Sequence, residues 1–178
     1  TKHGQSLLLF TLKPECPDGE VIDFKIEVAD TEGIGWILNF EAEVFAPGLV
    51  LISTFVDDEA INNNGILDAG ERVFVEVEVK NAGRQALSQM AARVYTDDPL
   101  FIIHSNEVLD QVIDPDANLK LRFEVELNAF VETIHIGTFR LDITSQEGYL
   151  ISLPFQLHNI NGYFNDFDLR DNGKDIAN

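Results

Sequence analysis

The sequence predicts an all-β protein: an immunoglobulin-like antiparallel β-sandwich preceded by a partial second sandwich unit. Three observations predict this fold class. Apolar and polar residues alternate over short runs, Gly, Pro, Asn and Asp separate the runs, and helical periodicity is almost absent. The chain has 178 residues, 45% of them hydrophobic and 13 of them Phe, which is enough for one good core and part of a second.

The alternating runs predict nine strands. The clearest are residues 24–28, 73–79 and 119–127, in which apolar side chains occupy every second position. Alternation with one charged face is what an antiparallel sheet packed on one side requires, and the lack of crossover helices favours sandwiches. The further predicted strands are residues 7–12, 36–44, 49–56, 89–96, 138–144 and 150–157.

The sequence also repeats itself. Residues 24–33 align with residues 139–148, beginning with a shared Phe and ending with a shared Glu-Gly pair. When two residues of the first copy are skipped, residues 36–44 align with residues 149–157. Each copy predicts a β-hairpin made of a strand, a Glu-Gly turn and a second strand, with the longer turn in the first copy.

The repeat defines the predicted domain boundaries. Its second copy closes a complete sandwich at residues 48–160, a normal length for this fold. Its first copy makes residues 1–47 the C-terminal half of an earlier sandwich, and residues 161–178 are an acidic tail or linker. A half-sandwich exposes an apolar face and open strand edges, which is unfavourable in water. We therefore expect a neighbouring domain of the same polypeptide, or another copy or chain, to complete residues 1–47.

The charge of the chain excludes two classes of partner. Twelve basic and 31 acidic residues give a net charge of −19 and a pI near 4.3. Such a field repels phosphate backbones and anionic lipids, so we expect no nucleic-acid binding. We also expect no membrane insertion, because no apolar run approaches the ~20 residues of a spanning helix. Cys16 is the only cysteine, so no internal disulfide forms, and the acidity suits an extracellular or cell-surface location.

An Asn-rich loop over residues 57–71 carries the most specific ligand pattern. With Gly65 at the sixth place of an EF-hand-type loop, oxygen donors fall at the third, fifth, seventh, ninth and twelfth places. The first place is Ala60, which has no side-chain oxygen, so Asp58 or Asp57 would have to reach in. The same residue types also form turns without any metal. The predicted Ca²⁺ ligands are Asp58, Asn62, Asn64, the carbonyl of Ile66, Asp68 and Glu71.

At this loop the sequence resembles a known family. The resemblance rests on Asn-Asn-Asn-Gly-Ile-Leu-Asp-Ala-Gly-Glu (62–71), Val-Lys-Asn-Ala-Gly (79–83) and Asp-Asp-Pro (97–99). These motifs are similar to those of CARDB-like, immunoglobulin-like modules in large secreted bacterial proteins, notably of Bacteroidetes. The resemblance covers residues 49–158 well and residues 10–44 as a partial copy. It implies a seven-stranded sandwich that serves as a spacer, an adhesin or an accessory to a catalytic domain elsewhere in the polypeptide.

We expect no enzymatic activity from this chain. Its four His residues form no pair at metal-binding spacing. None of the common metallopeptidase, serine-hydrolase, dinucleotide-binding or phosphate-loop motifs occurs in the sequence. The resemblance also implies no catalytic residues here.

Two aromatic residues, Trp36 and Tyr149, follow the hairpin turns at aligned positions. An aromatic side chain at such a place commonly packs on the core of a sandwich, and this is the favoured interpretation. A carbohydrate-binding platform would instead use Trp36 and Tyr149 as exposed aromatic side chains, and a solvent-facing Trp36 would support this alternative.

The leading hypothesis is a non-catalytic structural or interaction module of an exported multidomain protein, either a calcium-stabilised spacer or an adhesin-type sandwich. Two alternatives stay open. One is a subunit of an extracellular filament that assembles by strand complementation, and the other is a carbohydrate-binding accessory module.

Overall fold

The regular secondary structure of the computed structural model is entirely β-strand in the residues it describes, which are 9–13, 16–131, 134–146 and 148–159. The predicted all-β class is therefore confirmed. No helix in these residues is long and apolar enough to cross a membrane. The strands are β1 (Val21–Ala29), β2 (Gly35–Glu43), β3 (Leu49–Asp57), β4 (Arg72–Asn81), β5 (Leu87–Thr96), β6 (Phe101–Ser105), β7 (Glu107–Ile113), β8 (Asn118–Leu127), β9 (His135–Ser145) and β10 (Leu150–Asn159).

Eight of these strands form a sandwich of two antiparallel sheets. One sheet has the order β3-β4-β8-β6 and the other has the order β10-β9-β5-β7. Their inward faces share one core of buried apolar side chains, among them Met90, Phe123 and Phe139. The predicted sandwich is confirmed, with eight strands in the described part of the chain and not the seven that the family resemblance implies.

Strands β4 and β8 show why the sequence adopts this arrangement. Every second residue of β4 from Val73 to Val79 is at most 3% exposed, and β8 places Phe123 in the same core. The alternate positions carry charge, and Arg72 pairs with Glu124 on the outer face at 2.7 Å. Burying one such apolar side chain contributes roughly 1.5–3 kcal/mol, so the period-two pattern decides which face lies inside.

Two observed strands have no counterpart in the sequence prediction. Strand β6 has five residues at a sheet edge, and β7 pairs with β5 through a register with two irregularities. Neither strand therefore shows a regular alternation. Conversely, residues 9–12 of the strand predicted at 7–12 form no strand, and residues 7–8 lie outside the described residues. The tail predicted at residues 161–178 also lies outside them.

Strands β1 and β2 form a separate two-stranded sheet, which we call the N-terminal hairpin. Its register repeats that of the β9–β10 hairpin with a constant shift along the chain. Phe24 pairs with Phe40 in the first hairpin, just as Phe139 pairs with Phe155 in the second. The internal repeat in the sequence is thus a repeat of structure.

The turns of the two hairpins have the same length and the same backbone hydrogen bond. The Asp30 N–H donates to the Ile34 carbonyl at 3.0 Å, and the Ser145 N–H donates to the Tyr149 carbonyl at 3.0 Å. The glycine of each turn has a positive φ, 85° in the first and 89° in the second. The prediction of a longer first turn is therefore wrong, because the two copies align without any gap.

Candidate functional site

The chain passes from the N-terminal hairpin to the sandwich through residues 44–48, and Asn81 binds this linker. Asn81 ends β4 and is fully buried. Its side-chain oxygen accepts the N–H of Gly48 at 3.0 Å and of Gly83 at 3.1 Å, and its Nδ2 donates to the carbonyl of Gln85 at 2.8 Å. Because the amide is buried and satisfied, it holds the linker against the β4–β5 loop.

Gly83 lets two backbone segments approach more closely than a side chain permits. A Cβ atom here would lie 2.3 Å from the Ala46 carbonyl oxygen and 2.4 Å from the Gly48 nitrogen. Both contacts are with backbone atoms, which cannot rotate away, so only glycine fits. The close approach allows the Ala82 N–H to donate to the Gly48 carbonyl at 2.7 Å, and the Arg84 N–H to the Ala46 carbonyl at 3.1 Å.

Arg84 connects both ends of the N-terminal hairpin to the β4–β5 loop. Its guanidinium forms ion pairs with Asp18, before β1, at 3.0 Å and with Glu43, the last residue of β2, at 2.7 Å. It also donates to the Val44 carbonyl at 3.0 Å and lies 4.3 Å from the centre of the Phe45 ring. Residues 44–48 with Asn81, Gly83 and Arg84 are called the junction below.

The junction charges shift the pKa of their own groups. The hydrogen bond from the Ala46 N–H, aided by those from Arg84, lowers the pKa of Asp18 against the opposing effect of burial. The carboxylates of Glu43 and Asp18 raise the pKa of the Arg84 guanidinium. Asp18 and Arg84 therefore stay charged at neutral pH, and the ion pair between them remains in place.

The Asn-rich loop between β3 and β4 is anchored at two buried residues. Asp58 is 3% exposed, and its carboxylate accepts the N–H of Asn64 at 2.8 Å and of Gly65 at 3.1 Å. Leu67 is 1% exposed and packs in the sandwich core. The path of the loop is therefore fixed by the protein itself.

Four of the predicted Ca²⁺ ligands meet in one cluster outside this anchor. Nδ2 of Asn62 donates to Oδ2 of Asp68 at 3.1 Å and to Oε1 of Glu71 at 2.6 Å. Nδ2 of Asn64 donates to the same Asp68 oxygen at 2.7 Å. Both carboxylates thus lie within hydrogen-bond distance of a single nitrogen atom.

This cluster fits a hard cation in its donor types, since Ca²⁺ prefers carboxylate and amide oxygens. As placed, the amide oxygens of Asn62 and Asn64 instead accept the N–H of Asn64 at 3.1 Å and of Ile66 at 2.8 Å. The carboxylate of Asp58 already accepts a backbone N–H, that of Asn64, and Ile66 is half-buried. Among the described residues, no three Asp, Glu, His or Cys side chains converge as a metal site. Ca²⁺ binding therefore needs the amides to turn over, and the six ligands stay a prediction.

The structure does not bring Trp36 and Tyr149 together. Trp36 is 52% exposed near the turn of the N-terminal hairpin, so it does not pack on a core in the described structure. Tyr149 packs on the sandwich core, and its hydroxyl accepts the Leu49 N–H at 3.2 Å. Tyr149 lines the same depression as Val44, which lies about 25 Å from Trp36 along an extended strand. The matching registers also make Ile151, not Tyr149, the counterpart of Trp36.

Two histidines form pairs with carboxylates. His104 contacts Glu126 at 2.7 Å, and His135 contacts Asp98 at 2.5 Å. Burial raises the pKa of Asp98, but the hydrogen bonds from His135 and from the Leu100 N–H outweigh it, so the pKa is lowered overall. A carboxyl group with a lowered pKa stays ionised and is poorly suited to act as a general acid.

The sequence gives a signal for the junction but not its role. The motif Asn-x-Gly at residues 81–83 is visible in the sequence, and it contributes to the family resemblance. Its function becomes clear only when the linker at 44–48 is seen beside it. Arg84, directly after the motif, carries no distinguishing pattern at all.

Comparisons with known proteins leave the family open. No family model matches the sequence, and no curated protein matches it. Among solved structures, a FixG-related protein from Vibrio parahaemolyticus has 14% identity over 64% of this chain and 95% of that chain, with a TM-score of 0.37. A lipoprotein from Bacteroides thetaiotaomicron has 14% identity over 74% and 94%, with a TM-score of 0.36. PapD-like domain 7 of human CEP192 has 11% identity over 53% and 75%, with a TM-score of 0.35. Likenesses this weak do not establish a shared function.

Proposed function

We propose that this chain is part of a non-catalytic spacer in an exported multidomain bacterial protein, and that it holds consecutive sandwich units in a fixed orientation. The observation that carries this proposal is the junction. A flexible linker between domains leaves its backbone free to exchange with water. Here the short linker at residues 44–48 is bound to the sandwich by a buried amide, by three backbone hydrogen bonds from the β4–β5 loop and by an arginine.

A spacer needs resistance to rotation at each link, and the junction provides it. Any large rotation of the hairpin about this linker would break the hydrogen bonds that residues 46–48 form with Asn81 and with the β4–β5 loop. Each such hydrogen bond contributes about 0.5–1.5 kcal/mol. The rotation would also separate Arg84 from the carboxylates at the two ends of the hairpin. The fixed orientation is therefore favoured by several contacts that break together.

The composition supports an exported location for this spacer. A net charge of −19 keeps an extended protein soluble and repels other anionic surfaces. The outer face of the sandwich carries cross-strand ion pairs, such as Arg72 with Glu124 and Arg93 with Glu107. Such a face suits a solvated rod.

We also propose that Ca²⁺ stabilises the Asn-rich loop of this spacer. Asp68 and Glu71 are brought together beside the amide of Asn62, which offsets their repulsion only in part. A bound divalent cation would supply two positive charges at this place. The chain itself supplies the preformed loop, through Asp58 and Leu67.

The spacer is tested by measuring how the two parts tumble in solution. Nuclear spin relaxation of backbone amides gives one rotational correlation time for the N-terminal hairpin and another for the sandwich. We expect the two times to agree in the wild-type chain. In Arg84→Ala we expect the time of the hairpin to fall several-fold below that of the sandwich, because the ion pairs with Asp18 and Glu43 are lost.

The matched control is Arg93→Ala. Arg93 forms an ion pair with Glu107 within the sandwich and is similarly exposed, but it lies away from the junction. This variant should leave both correlation times equal. If the hairpin already tumbles independently in the wild-type chain, the junction is a hinge and the spacer function is wrong.

A further inference from the structure

The N-terminal hairpin is amphipathic, and its apolar face is open to solvent in the described structure. Alternation puts charged residues such as Asp23, Lys25 and Glu41 on the other face. The apolar side chains of Trp36, Leu38 and Phe40 are 52%, 57% and 43% exposed. A two-stranded sheet is marginally stable alone, and a contiguous exposed apolar face marks an interaction surface. The apolar face consists mainly of Phe24, Ile26, Val28, Trp36, Leu38 and Phe40.

The second hairpin shows what covers such a face. Its residues at the matching register positions include Phe139, Leu141 and Phe155, which are 1%, 0% and 6% exposed. The cover is the opposite sheet of the sandwich, β3-β4-β8-β6, because both sheets contribute to one core. Even the ring pairs correspond: Phe24 and Phe40 stack with centres 4.9 Å apart, and Phe139 and Phe155 with centres 5.3 Å apart.

The residues before the N-terminal hairpin identify the source of its cover. The same shift along the chain that matches the hairpins matches Phe10 with Val125 and Leu12 with Leu127. Val125 and Leu127 are buried near the end of β8, an inner strand of the covering sheet. The ring of Phe10 already lies 4.9 Å from that of Phe24. The repeat therefore places the end of a covering strand at residues 9–12.

We propose that the apolar face of the N-terminal hairpin is half of a second hydrophobic core, covered by a sheet like β3-β4-β8 from an earlier part of the same polypeptide. Residues 9–12, which form no strand in the described structure, become the end of the inner strand when that sheet is present. This inference rests on the proposed spacer function and deepens it, because it names the neighbouring unit whose orientation the junction fixes. By analogy with β4 and β8, we expect the covering sheet to present apolar side chains at every second position toward Trp36 and Phe40.

The single tryptophan of the chain reports on this face. We would compare the 178-residue chain with a chain that begins about 70 residues earlier in the parent polypeptide, because β3 to β8 takes about 80 residues and residues 1–12 already match its last part. The expected result is a several-fold fall in acrylamide quenching of Trp36 and a shift of its emission to shorter wavelength. Acrylamide is chosen because it is neutral, whereas iodide would be repelled by the acidic surface.

A second chain tests the same idea with a cover of known sequence. In it, residues 48–127 of this protein replace residues 1–12, so that a copy of β3 to β8 precedes the N-terminal hairpin. Protection of Trp36 in either chain supports the proposal. Equal quenching of Trp36 in all three chains overturns it.

Two matched variants of the extended chain separate the two faces of the hairpin. Phe40→Glu places a charge on the apolar face and should restore quenching to the level of the 178-residue chain. Asn39→Glu places the same charge on the opposite face and should leave Trp36 protected. Equal effects of the two variants would mean that the apolar face is not the covered one.

The same measurements distinguish the covering sheet from a second copy of the chain. They also distinguish a failure of this proposal from a failure of the spacer function. If Trp36 of the 178-residue chain becomes protected as protein concentration rises, with dimers in sedimentation, a second copy covers the face and the proposal is overturned. If Trp36 is protected in the extended chain while the hairpin of the wild-type 178-residue chain tumbles independently of the sandwich, the cover stands and the spacer function fails.

Discussion

Asp68 and Glu71 are two negative side chains held beside one neutral amide, that of Asn62. Hydrogen bonds from an amide offset the repulsion between the two carboxylates only in part, whereas a bound divalent cation would attract both of them. We therefore expect Ca²⁺ to raise the melting temperature relative to chelator. Ligand at a hundred times its Kd stabilises a protein by about 2.7 kcal/mol. The measurement is a thermal melt in each buffer.

Glu71→Gln tests whether this cluster is responsible for the effect. Glutamine keeps an oxygen that can accept the Asp68 N–H, which Glu71 binds at 3.1 Å, so the loop should still form. The calcium-dependent rise should nevertheless shrink to a small fraction of the wild-type value. Glu59→Gln removes the same charge from an exposed position of the same loop and should keep the rise. Wild-type melts that coincide in calcium and chelator would contradict the calcium role.

The sequence separation between two contacting residues decides whether the sequence alone can predict their contact. The Asn-rich loop is local: Asn62 and Glu71 are nine residues apart, so spacing alone brings four of the six predicted ligands into one cluster. The junction is not local. Asn81 binds Gly48 across 33 positions, and Arg84 binds Asp18 across 66. No spacing rule reaches that far, so the residue types of the junction are visible in the sequence but their partners are not.

At the level of elements, predictability follows burial. Strands such as β4 and β8 are central and alternate strictly between core and solvent, so the pattern specifies them. Strands β6 and β7 are the two shortest strands of the described residues, and they pair at sheet edges through interrupted registers. An edge position alone does not hide a strand, since β3 and β10 also lie at sheet edges and are predicted. The equal turns escape the sequence alignment because only the register shows which residues face each other.

The matched hairpins provide a prediction about elements. Phe155 of β10 is 6% exposed, and its counterpart Phe40 of β2 is 43% exposed. Phe155→Ala should lower the free energy of unfolding of the sandwich by about 3–5 kcal/mol, whereas Phe40→Ala should lower it by less than about 1 kcal/mol. Denaturant unfolding followed by circular dichroism measures both.

Phe155→Leu keeps this comparison measurable if the alanine variant does not fold, because a smaller change of volume costs about 1 kcal/mol. Equal losses in Phe155→Ala and Phe40→Ala within the 178-residue chain would show that Phe40 is already covered there. In a polypeptide that supplies the covering sheet, by contrast, equal losses are expected. The same pair of substitutions thus measures burial in two contexts.

For the whole molecule, the balance of charge sets the response to acid. At neutral pH a net charge of −19 opposes compaction, and moderate acidification relieves this repulsion. Three carboxylates with native hydrogen-bond partners have the opposite effect, because acidification removes the stability that they contribute. The hydrogen bond from Arg72 lowers the pKa of Glu124, that from the Ala46 N–H lowers the pKa of Asp18, and the pKa of Asp98 is lowered despite its burial. Stability from these groups is present above their unfolded pKa values, about 4, and is lost as pH falls through the lower folded values.

We therefore expect the melting temperature to stay level or rise slightly from pH 7 to 5 and to fall below about pH 4. Arg72→Gln should make the acid fall shallower, because the pKa of Glu124 then moves toward its ordinary value and less stability remains to be lost. Lys120→Gln removes the same charge from the same sheet face, near Glu76 rather than Glu124, and should keep the wild-type slope. A melting temperature that continues to rise below pH 4 would mean that general repulsion outweighs the native pairs. Thermal melts from pH 2 to 8 at fixed ionic strength decide between these outcomes.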